Sequence, residues 1–298
     1  MQQTQTGSAP YSQLQRILNS VTALRPLPTS AMRLLKLLDN PSVSADEISH
    51  AVSQDIALTA HVLRVANSAL LGYAVSSNSV QDATMRLGFK RLRTIVLGSV
   101  AAGPLTRRLH GYRLGDNDLW EHSIATASGA NWLARRLNYP ESEEAYVGGL
   151  LHDIGKVLLD QYMQNDYNRI VEVMHKRQIA LWQAEEEVFG IEHAAVGGMM
   201  AEKWQFPASL KNTIRSHHVP ALAESHQKLA AIVNIANAFA PGDTYSFTGL
   251  DGRHVHPSSM RVLDLNPQDI ERLENEMNKA LGLNEEFVPN TRHVTGSL

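Results

Sequence analysis

Apolar residues recur along most of the chain at intervals of three and four positions, which is the spacing of one face of an α-helix. Near the start, for example, Leu14, Ile17, Leu18 and Val21 share one face of a helix predicted over residues 11–24. Alternation with a period of two, typical of strands, is scarce, and Pro, Gly, Asn and Ser separate the helical stretches. The pattern therefore predicts an all-α fold.

Short helices with local capping signals are predicted in the first third of the chain. Ser44 and Glu47 have the spacing of a capping box, and Asp55 is placed to cap the helix that follows. Two further helices are expected over residues 79–87 and 89–102. We interpret this region as one compact lobe of small helices.

Longer helical stretches follow from Asp116 onward, and they are long enough to pack against one another as a bundle. They are predicted over residues 119–137, 141–162, 164–175, 181–189, 191–204, 207–218 and 221–239. Gly242, Asp243 and Gly252 indicate a loop, after which Pro267 begins a last amphipathic helix. The sequence thus predicts two helical parts and an appended C-terminal helix.

The composition narrows the classes of protein to which this chain can belong. With 43% hydrophobic residues over 298 positions, the chain can bury a sizeable core. A formal net charge of -3 provides no overall attraction to nucleic acid or to an anionic membrane. The polar start lacks a secretory signal, and no apolar run approaches the roughly 20 residues of a membrane span, so we expect a cytoplasmic protein.

The strongest local signal for chemistry lies within residues 148–156, where His152 and Asp153 lie side by side in an otherwise apolar helix. Because buried polar groups need partners, water or a metal, this pair predicts further polar residues nearby. Adjacent helix positions diverge by about 100°, so one ion can bridge both side chains only from the helix edge that they share. Other helices must then supply the remaining ligands.

Four more histidines stand at suitable places on other predicted helices, and the absence of cysteine leaves histidine and carboxylates as the metal ligands available. His122 lies on the apolar face of its helix, His193 begins another helix, and His217 and His218 end a third. Imidazoles with one carboxylate suit a divalent transition metal such as iron, manganese, nickel or zinc. Such a metal could activate a water molecule for phosphoester cleavage. Without a metal, we expect a hydrogen-bonded network in the core.

The order of these residues along the chain is informative. It runs His122, His152-Asp153, His193 and His217-His218. This order resembles the ligand order of the HD superfamily of metal-dependent phosphohydrolases, whose motif ends with an aspartate in a late helix. The matching position is Asn237, with Asn234 as the alternative. An amide can coordinate through its oxygen but has no charge, so we expect weaker metal binding and weaker activation of water.

Several short motifs in the first part of the chain make the resemblance more specific. They are Leu27-Pro28, Asp55, Arg64-Val65-Ala66-Asn67-Ser68 and Met85-Arg86-Leu87-Gly88. These motifs are similar to the N-terminal half of HDOD domains, the HD-related output domains of bacterial signalling proteins. The whole resemblance covers residues 18–239. Two departures are Ile56, where the family often has proline, and the absence of the Gly-Tyr-Pro signature of cyclic di-GMP phosphodiesterases after His218.

The resemblance implies an HD-like multi-helix bundle with a smaller N-terminal helical lobe. Residues 1–15 are expected to form a tail, residues 16–240 the HDOD domain, and residues 241–298 a loop, a C-terminal helix and a tail. Within the domain, the lobe is expected over residues 16–110 and the HD-like bundle over residues 111–240.

Three functions are compatible with the resemblance. The first is a signal-transduction output module that acts through contacts with a signalling protein partner. The second is a metal-dependent phosphohydrolase acting on a nucleotide or another phosphoester, in which Asp153 and Lys156 would be catalytic. Asn237 favours the first function, because a catalytic site of this superfamily normally has a carboxylate there. The third is a cleft that binds a small phosphorylated ligand without cleaving it.

Two charged features have competing interpretations. Lys156 could face an anion in the cleft, or it could pair with Asp153 within the helix. Five basic residues between Lys90 and Arg108 form a local cluster, but the near-neutral total charge and the lack of a nucleic-acid motif favour a solvated face. We therefore expect neither a nucleic acid nor a membrane as a partner.

Overall fold

A computed structural model describes residues 9–67, 77, 79–241 and 255–282 of the chain. Within these residues the regular elements are α-helices and one short 3₁₀ turn, besides an isolated β-bridge between Leu109 and Leu114. The predicted all-α fold class is confirmed. None of the described helices is long and apolar enough to cross a membrane. The loop predicted around residues 242–252 lies outside the described residues.

The chain divides into two compact units. The smaller unit is Arg25–Pro104, and the larger unit consists of the described residues of Met1–Leu24 and Leu105–Leu298. The first helix, α1 (Ala9–Thr22), belongs to the larger unit, whereas the sequence analysis placed residues 16–24 in the N-terminal lobe. Residues 9–15, expected as part of a tail, are helical within α1.

The smaller unit is a set of helices whose apolar faces meet in one core. These helices are α2 (Thr29–Leu38), α3 (Ala45–Ser53), α4 (Ile56–Ala66) and most of α5 (Val80–Leu105). Leu34, Ile48, Val62 and Leu92 are fully buried in this core. α5 breaks at Gly88, whose φ of 72° is not helical, so the two helices predicted there are the two arms of α5.

Two predicted caps in the smaller unit are confirmed. The Ser44 hydroxyl accepts a hydrogen bond from Glu47 N, and the Glu47 carboxylate accepts one from Ser44 N, which completes the capping box of α3. Asp55 Oδ1 accepts a hydrogen bond from Leu58 N in the first turn of α4. Its other oxygen accepts a hydrogen bond from the Ser30 hydroxyl, so this cap also joins α4 to α2. Caps of this kind typically stabilise a helix by about 1 kcal/mol.

The larger unit contains the remaining helices. They are α1, α6 (Asp118–Arg136), α7 (Ser142–Leu151), α8 (Ile154–Arg177), α9 (Leu181–Phe189), α10 (His193–Lys203), α11 (Ala208–Ser216), α12 (Gln227–Phe239), α13 (Pro257–Leu263) and α14 (Pro267–Leu281). α12 packs against α6, α7, α11 and α13, and α14 packs against α6. The core at their centre includes Leu133, Ile232, Val233 and Met277.

The predicted boundaries are wrong at three places in the larger unit. The helix expected over residues 141–162 is interrupted at His152 and Asp153, and α8 then continues without a second break to Arg177. Lys156 N donates to Asp153 O, which starts α8 with a tight turn. α12 begins at Gln227 rather than near residue 221, because a 3₁₀ turn and the left-handed His226 precede it. α13 was not predicted.

Gly155 allows α8 and α10 to approach each other closely, backbone against backbone. A Cβ atom at this position would lie 1.9 Å from His193 O and 2.7 Å from Gly197 N. No side chain fits in that space, so glycine is required by the packing. The close approach also places the start of α8, with Asp153, beside the start of α10, with His193.

Replacing Gly155 with alanine should therefore destabilise the protein. Because both neighbouring atoms belong to the backbone, α8 and α10 must move apart, and we expect a loss of about 2 kcal/mol or more in the free energy of unfolding. Gly103→Ala is the control, since a Cβ there meets nothing within 4 Å. That variant should be neutral or more stable by up to about 1 kcal/mol. Urea unfolding measures both, and equal stability of the two variants would contradict the close approach.

Candidate metal centre

A buried carboxylate, Asp153, lies at the centre of a group of four histidines. The Nε2 atoms of His193 and His217 lie 3.1 and 3.7 Å from Asp153 Oδ1. Those of His152 and His122 lie 3.3 and 3.8 Å from Asp153 Oδ2. None of these five residues is more than 4% exposed. We call these five residues the histidine cluster.

The cluster draws its members from separate helices of the larger unit. His122 comes from the first turns of α6, His152 and Asp153 from the break between α7 and α8, and His193 from the start of α10. His217 directly follows α11. The interruption after Leu151 matters here, because adjacent side chains of an unbroken helix would diverge by about 100°. The structure thus brings together the residues that the sequence analysis selected on separate helices.

The outer nitrogen of each imidazole is held by an oxygen acceptor. His152 Nδ1 donates to Gly149 O at 2.7 Å, and His217 Nδ1 donates to Ile214 O at 2.9 Å. His193 Nδ1 donates to the Glu185 carboxylate at 2.6 Å, and His122 Nδ1 to Pro241 O at 3.3 Å. Because these oxygens can only accept, each Nδ1 carries a proton. Nε2 is therefore the nitrogen that every ring presents to the centre of the cluster.

The centre of the cluster has the donor set of a metal site. The Nε2 atoms of His152 and His217 are fully buried and make no hydrogen bond within the described part of the chain. A neutral ring protonated on Nδ1 has a lone pair on Nε2, and such lone pairs repel a nearby carboxylate unless a cation lies between them. Histidines bound to metals typically have this arrangement, with the other ring nitrogen bonded to a carbonyl or carboxylate. The residues present therefore fit a divalent transition metal.

Lys156 is a basic residue beside the same carboxylate. Its Nζ donates to Asp153 Oδ2 at 2.6 Å, and the residue is only 4% exposed. This contact matches the intrahelical pairing that the sequence analysis considered for Lys156. Burial raises the pKa of Asp153, but the Lys156 ammonium and the imidazoles around the carboxylate outweigh it and hold that pKa well below its usual value.

The histidines of the cluster have opposite tendencies to bind protons. Burial lowers the pKa of His193, but the charge of Glu185, its hydrogen bond with His193 and the nearby Asp153 carboxylate outweigh it and raise that pKa to about 10. Burial lowers the pKa of His217 well below its usual value. Without a metal, His193 is therefore protonated at neutral pH, whereas His217 is neutral.

His218 lies at the outer side of the cluster. Its Nε2 is 2.9 Å from His193 Nε2, and its ring stacks on Trp182 with centroids 5.3 Å apart. Nitrogen atoms of His193, His217 and His218 all lie within 4.8 Å of one another, which makes His218 geometrically able to share an ion with them. Burial lowers the pKa of His218 well below its usual value. Glu192, which caps α10, lies 4.0 Å from His218 Nε2.

The two asparagines of α12 have different surroundings. Asn234 is fully committed, because its Nδ2 donates to His217 O and its Oδ1 accepts from His256 N and the Ser259 hydroxyl. Its amide therefore supports the backbone at His217, and both lone pairs of its oxygen are engaged, so none is left for a metal. Asn237 is half-buried in the last turn of α12. Its role as a ligand stays a prediction.

Glu185 is a member of the site that the sequence analysis missed. It is fully buried in α9, and it accepts hydrogen bonds from His193 N, His193 Nδ1 and the Tyr112 hydroxyl. In the sequence it belongs to an acidic run that resembles a solvated helix face. A signal was nevertheless present, because Glu185 has helical spacing with the apolar residues Leu181 and Val188 and so lies on the buried face.

Comparison with known proteins gives consistent matches. A model of the HDOD domain family matches residues 24–220. An HDOD domain protein from Geobacter sulfurreducens has 26% sequence identity and a TM-score of 0.64, with 92% of this chain and 96% of that chain covered. A proposed phosphohydrolase from Shewanella amazonensis has 26% identity and a TM-score of 0.66, with 89% of this chain and 94% of that chain covered.

A relative known by sequence is a longer protein. This protein of Treponema pallidum is 28% identical over 247 residues, which are 81% of this chain and 47% of the relative. The chain thus spans about half the length of that curated relative. Because the family model covers well over half of the chain and the structural matches have the same helical fold, the chain belongs to the HDOD domain family.

Proposed function

We propose that this HDOD protein is a bacterial signal-transduction output module that acts in the cytoplasm through contacts with a signalling protein partner. We further propose that its histidine cluster holds one divalent transition metal as part of the folded structure. The observation that carries the proposal is the closed arrangement of the cluster, in which Asp153 and four imidazoles are at most 4% exposed. Closed sites made of protein ligands are typical of structural metals, whereas catalytic sites keep a position open for water or substrate.

The ligand set that we propose is rich in nitrogen. It consists of Asp153 Oδ1 or Oδ2 and Nε2 of His122, His152, His193 and His217, with His218 and Asn237 as candidates for further coordination positions. Imidazole nitrogens with one carboxylate suit iron, manganese, nickel or zinc. The metal would attract the lone pairs and the carboxylate that otherwise face one another. It would also tie together α6, α8, α10 and the end of α11.

Two features of the cluster disfavour hydrolysis. The Asp153 carboxylate already pairs with Lys156 at 2.6 Å, and the position matching the late aspartate of the superfamily is Asn237. The site would therefore provide fewer negative ligands for a pair of metals. In addition, His152, Asp153 and His217 are at most 1% exposed, which leaves a phosphoester no access to them in this conformation. These features support an output module rather than an enzyme.

A metal-dependent phosphohydrolase acting on a nucleotide or another phosphoester is the second candidate. It is favoured by the likeness to the Shewanella amazonensis protein and by the meeting of His122, His152 and Asp153 within 4.8 Å. A bound metal would supply an activated water and polarise the phosphoryl group. Asp153 and Lys156 would then lie next to the reacting groups. A site that binds a small phosphorylated ligand without cleaving it would need the same access.

Removal of the metal should destabilise the wild-type protein. After loading with Zn²⁺ and desalting, we expect about one metal per chain by mass spectrometry, as for a single closed site. Zn²⁺ at 100 times its dissociation constant adds about 2.7 kcal/mol, so chelation should lower Tm by about 5–10 °C. His152→Ala should fold without binding metal, whereas His175→Ala, an exposed histidine in α8, should bind it normally. A wild type that takes up no metal and is insensitive to chelator would contradict the proposal.

The two asparagines of α12 should respond differently to replacement by aspartate. Asn237→Asp adds a negative charge where the superfamily has one, and we expect about 10-fold tighter Zn²⁺ binding. Asn234→Asp removes the donor to His217 O and leaves two acceptors facing each other, so it should lower Tm without tightening Zn²⁺ binding. Calorimetric titration and thermal unfolding measure both effects. Tighter binding in Asn234→Asp alone would show that the late ligand position is Asn234.

The wild-type protein should show no phosphoesterase activity. We expect turnover of a nitrophenyl phosphoester and of a cyclic dinucleotide, each with added Mn²⁺, to equal that of Mn²⁺ in buffer, because the cluster is closed to substrate. The matched variants are again His152→Ala and His175→Ala. Turnover that His152→Ala abolishes and His175→Ala preserves would overturn the output-module proposal in favour of the phosphohydrolase.

A further inference from the structure

The stretch between α5 and α6, residues 106–117, forms a loop closed by its own backbone hydrogen bonds. Leu109 and Leu114 exchange two N–H···O bonds of 3.1 and 3.0 Å, and Asn117 N donates to Thr106 O at 3.0 Å. We call this segment the 106–117 loop. It follows directly on α5, the last helix of the smaller unit, and leads into α6, which carries His122. The loop is therefore a covalent connection between the two units.

The 106–117 loop is docked on α8. The backbone N–H groups of Gly111 and Tyr112 both donate to Asp160 Oδ1, at 2.7 and 3.2 Å. A Cβ atom on Gly111 would lie 2.1 Å from Asp160 O, so only glycine permits this approach. The Arg113 guanidinium lies 3.9 Å above the ring of Tyr167, another residue of α8. These contacts fix the base of the loop against the helix that begins next to Asp153.

Two buried side chains connect the 106–117 loop with the histidine cluster. The Tyr112 hydroxyl donates to Glu185 Oε1 at 2.8 Å. Glu185 Oε2 accepts from His193 Nδ1 at 2.6 Å and from His193 N at 2.9 Å. Tyr112, Glu185 and His193 are all at most 2% exposed, so no solvent competes for these bonds. A continuous hydrogen-bonded path thus runs from the loop to a ring of the proposed metal site.

The position of Glu185 depends on both ends of this path. A buried carboxylate is stable only where its oxygens have donors, and Tyr112 and His193 supply three of them. Without a metal, the His193 ring is held by individual neighbours. A metal on Nε2 would tie the same ring at once to ligands from α6, α8 and α11, which narrows its range of orientations. When the His193 ring has fewer orientations, the Glu185 carboxylate and the Tyr112 hydroxyl bonded to it also have fewer.

We propose that metal loading of the histidine cluster tightens the 106–117 loop through His193, Glu185 and Tyr112. This inference rests on the metal site proposed above and assigns to it a regulatory readout. Glu185 and Tyr112 are positioning residues, because they act on the metal through His193. By thermodynamic linkage, docking of the loop must strengthen metal binding by the same factor by which the metal stabilises the docked loop. Metal occupancy of the cluster thereby changes the stability of a segment that directly follows the smaller unit along the chain.

Hydrogen exchange on the full chain tests this coupling, with Zn²⁺ as the only added ligand. In the wild type, the amides of Leu109, Gly111, Tyr112 and Leu114 should exchange about 5-fold more slowly with Zn²⁺ than without, beyond any change in α14 of the same unit. Tyr112→Phe should abolish this additional protection and weaken Zn²⁺ binding by about the same factor. The ring remains in Tyr112→Phe, so packing is preserved.

Tyr162→Phe is the matched control. It also removes a tyrosine hydroxyl that is hydrogen-bonded within the larger unit, to Ser20 and Arg16 O, but this hydroxyl lies outside the path. This variant should retain both the protection and the affinity of the wild type. Zn²⁺ binding without added protection of the loop in the wild type, or equal behaviour of the two variants, would overturn the inference and leave the metal proposal standing. A wild type that binds no Zn²⁺ would overturn both proposals together.

If Tyr112→Phe fails to fold, hydrogen exchange of the wild type with and without Zn²⁺ is sufficient to test the coupling. Protection that rises in the 106–117 loop more than in α14 supports the coupling, and a uniform rise refutes it. Uniform protection would mean that the metal stabilises the larger unit as a whole, with no preferred path to the loop.

Discussion

The larger unit is organised around the problem of a buried negative charge. A carboxylate taken from water into the protein interior loses several kcal/mol of solvation unless charges and hydrogen bonds replace it. Asp153 is 1% exposed. Lys156 from its own helix and the protonated His193 of α10 compensate its charge, and the proposed metal would bind it together with imidazoles from α6 and the end of α11. Each of those helices must therefore keep its place for the charge to remain compensated. The electrostatics of one residue thus constrain the packing of the bundle.

Local irregularities of the backbone make this convergence possible. The end of α7 at Leu151 and the start of α8 at Ile154 allow His152 and Asp153 to face the same centre. Gly155 then brings α8 against the start of α10, which places His193 beside the carboxylate. Asn234 holds the carbonyl of His217 from α12, so even the turn after α11 is fixed by a buried hydrogen bond. The site is built from breaks, ends and close approaches of helices rather than from their regular middles.

This explains which parts of the structure were predictable from the sequence. Helical periodicity is a property of regular segments, so the all-α class and most helices followed from it, as did the inward orientation of His122 beside Ala130 and Leu133. The break at His152 was not predictable in the same way, because apolar residues continue through it without a change of period. The sequence analysis missed Glu185 because it is followed by two acidic residues, which are exposed, and the run resembles a solvated surface. Its own position nevertheless lies on the buried face of α9. Polar residues that are buried by tertiary contacts leave little indication of that burial in the local sequence.

Lys156 suggests why such a site would serve a signal better than a reaction. The ammonium group and a metal would compete for one carboxylate, since Lys156 Nζ lies 2.6 Å from the oxygen that is also closest to His152 and His122. Two cations next to one anion repel each other, so Lys156 lowers the affinity for a metal while it stabilises Asp153 in the metal's absence. The cluster is therefore compatible with both states, and the difference in free energy between them is smaller than in a site without a lysine. A reversible switch requires a small difference in free energy between its metal-bound and metal-free states, because a site that is always occupied cannot respond to a change in metal concentration.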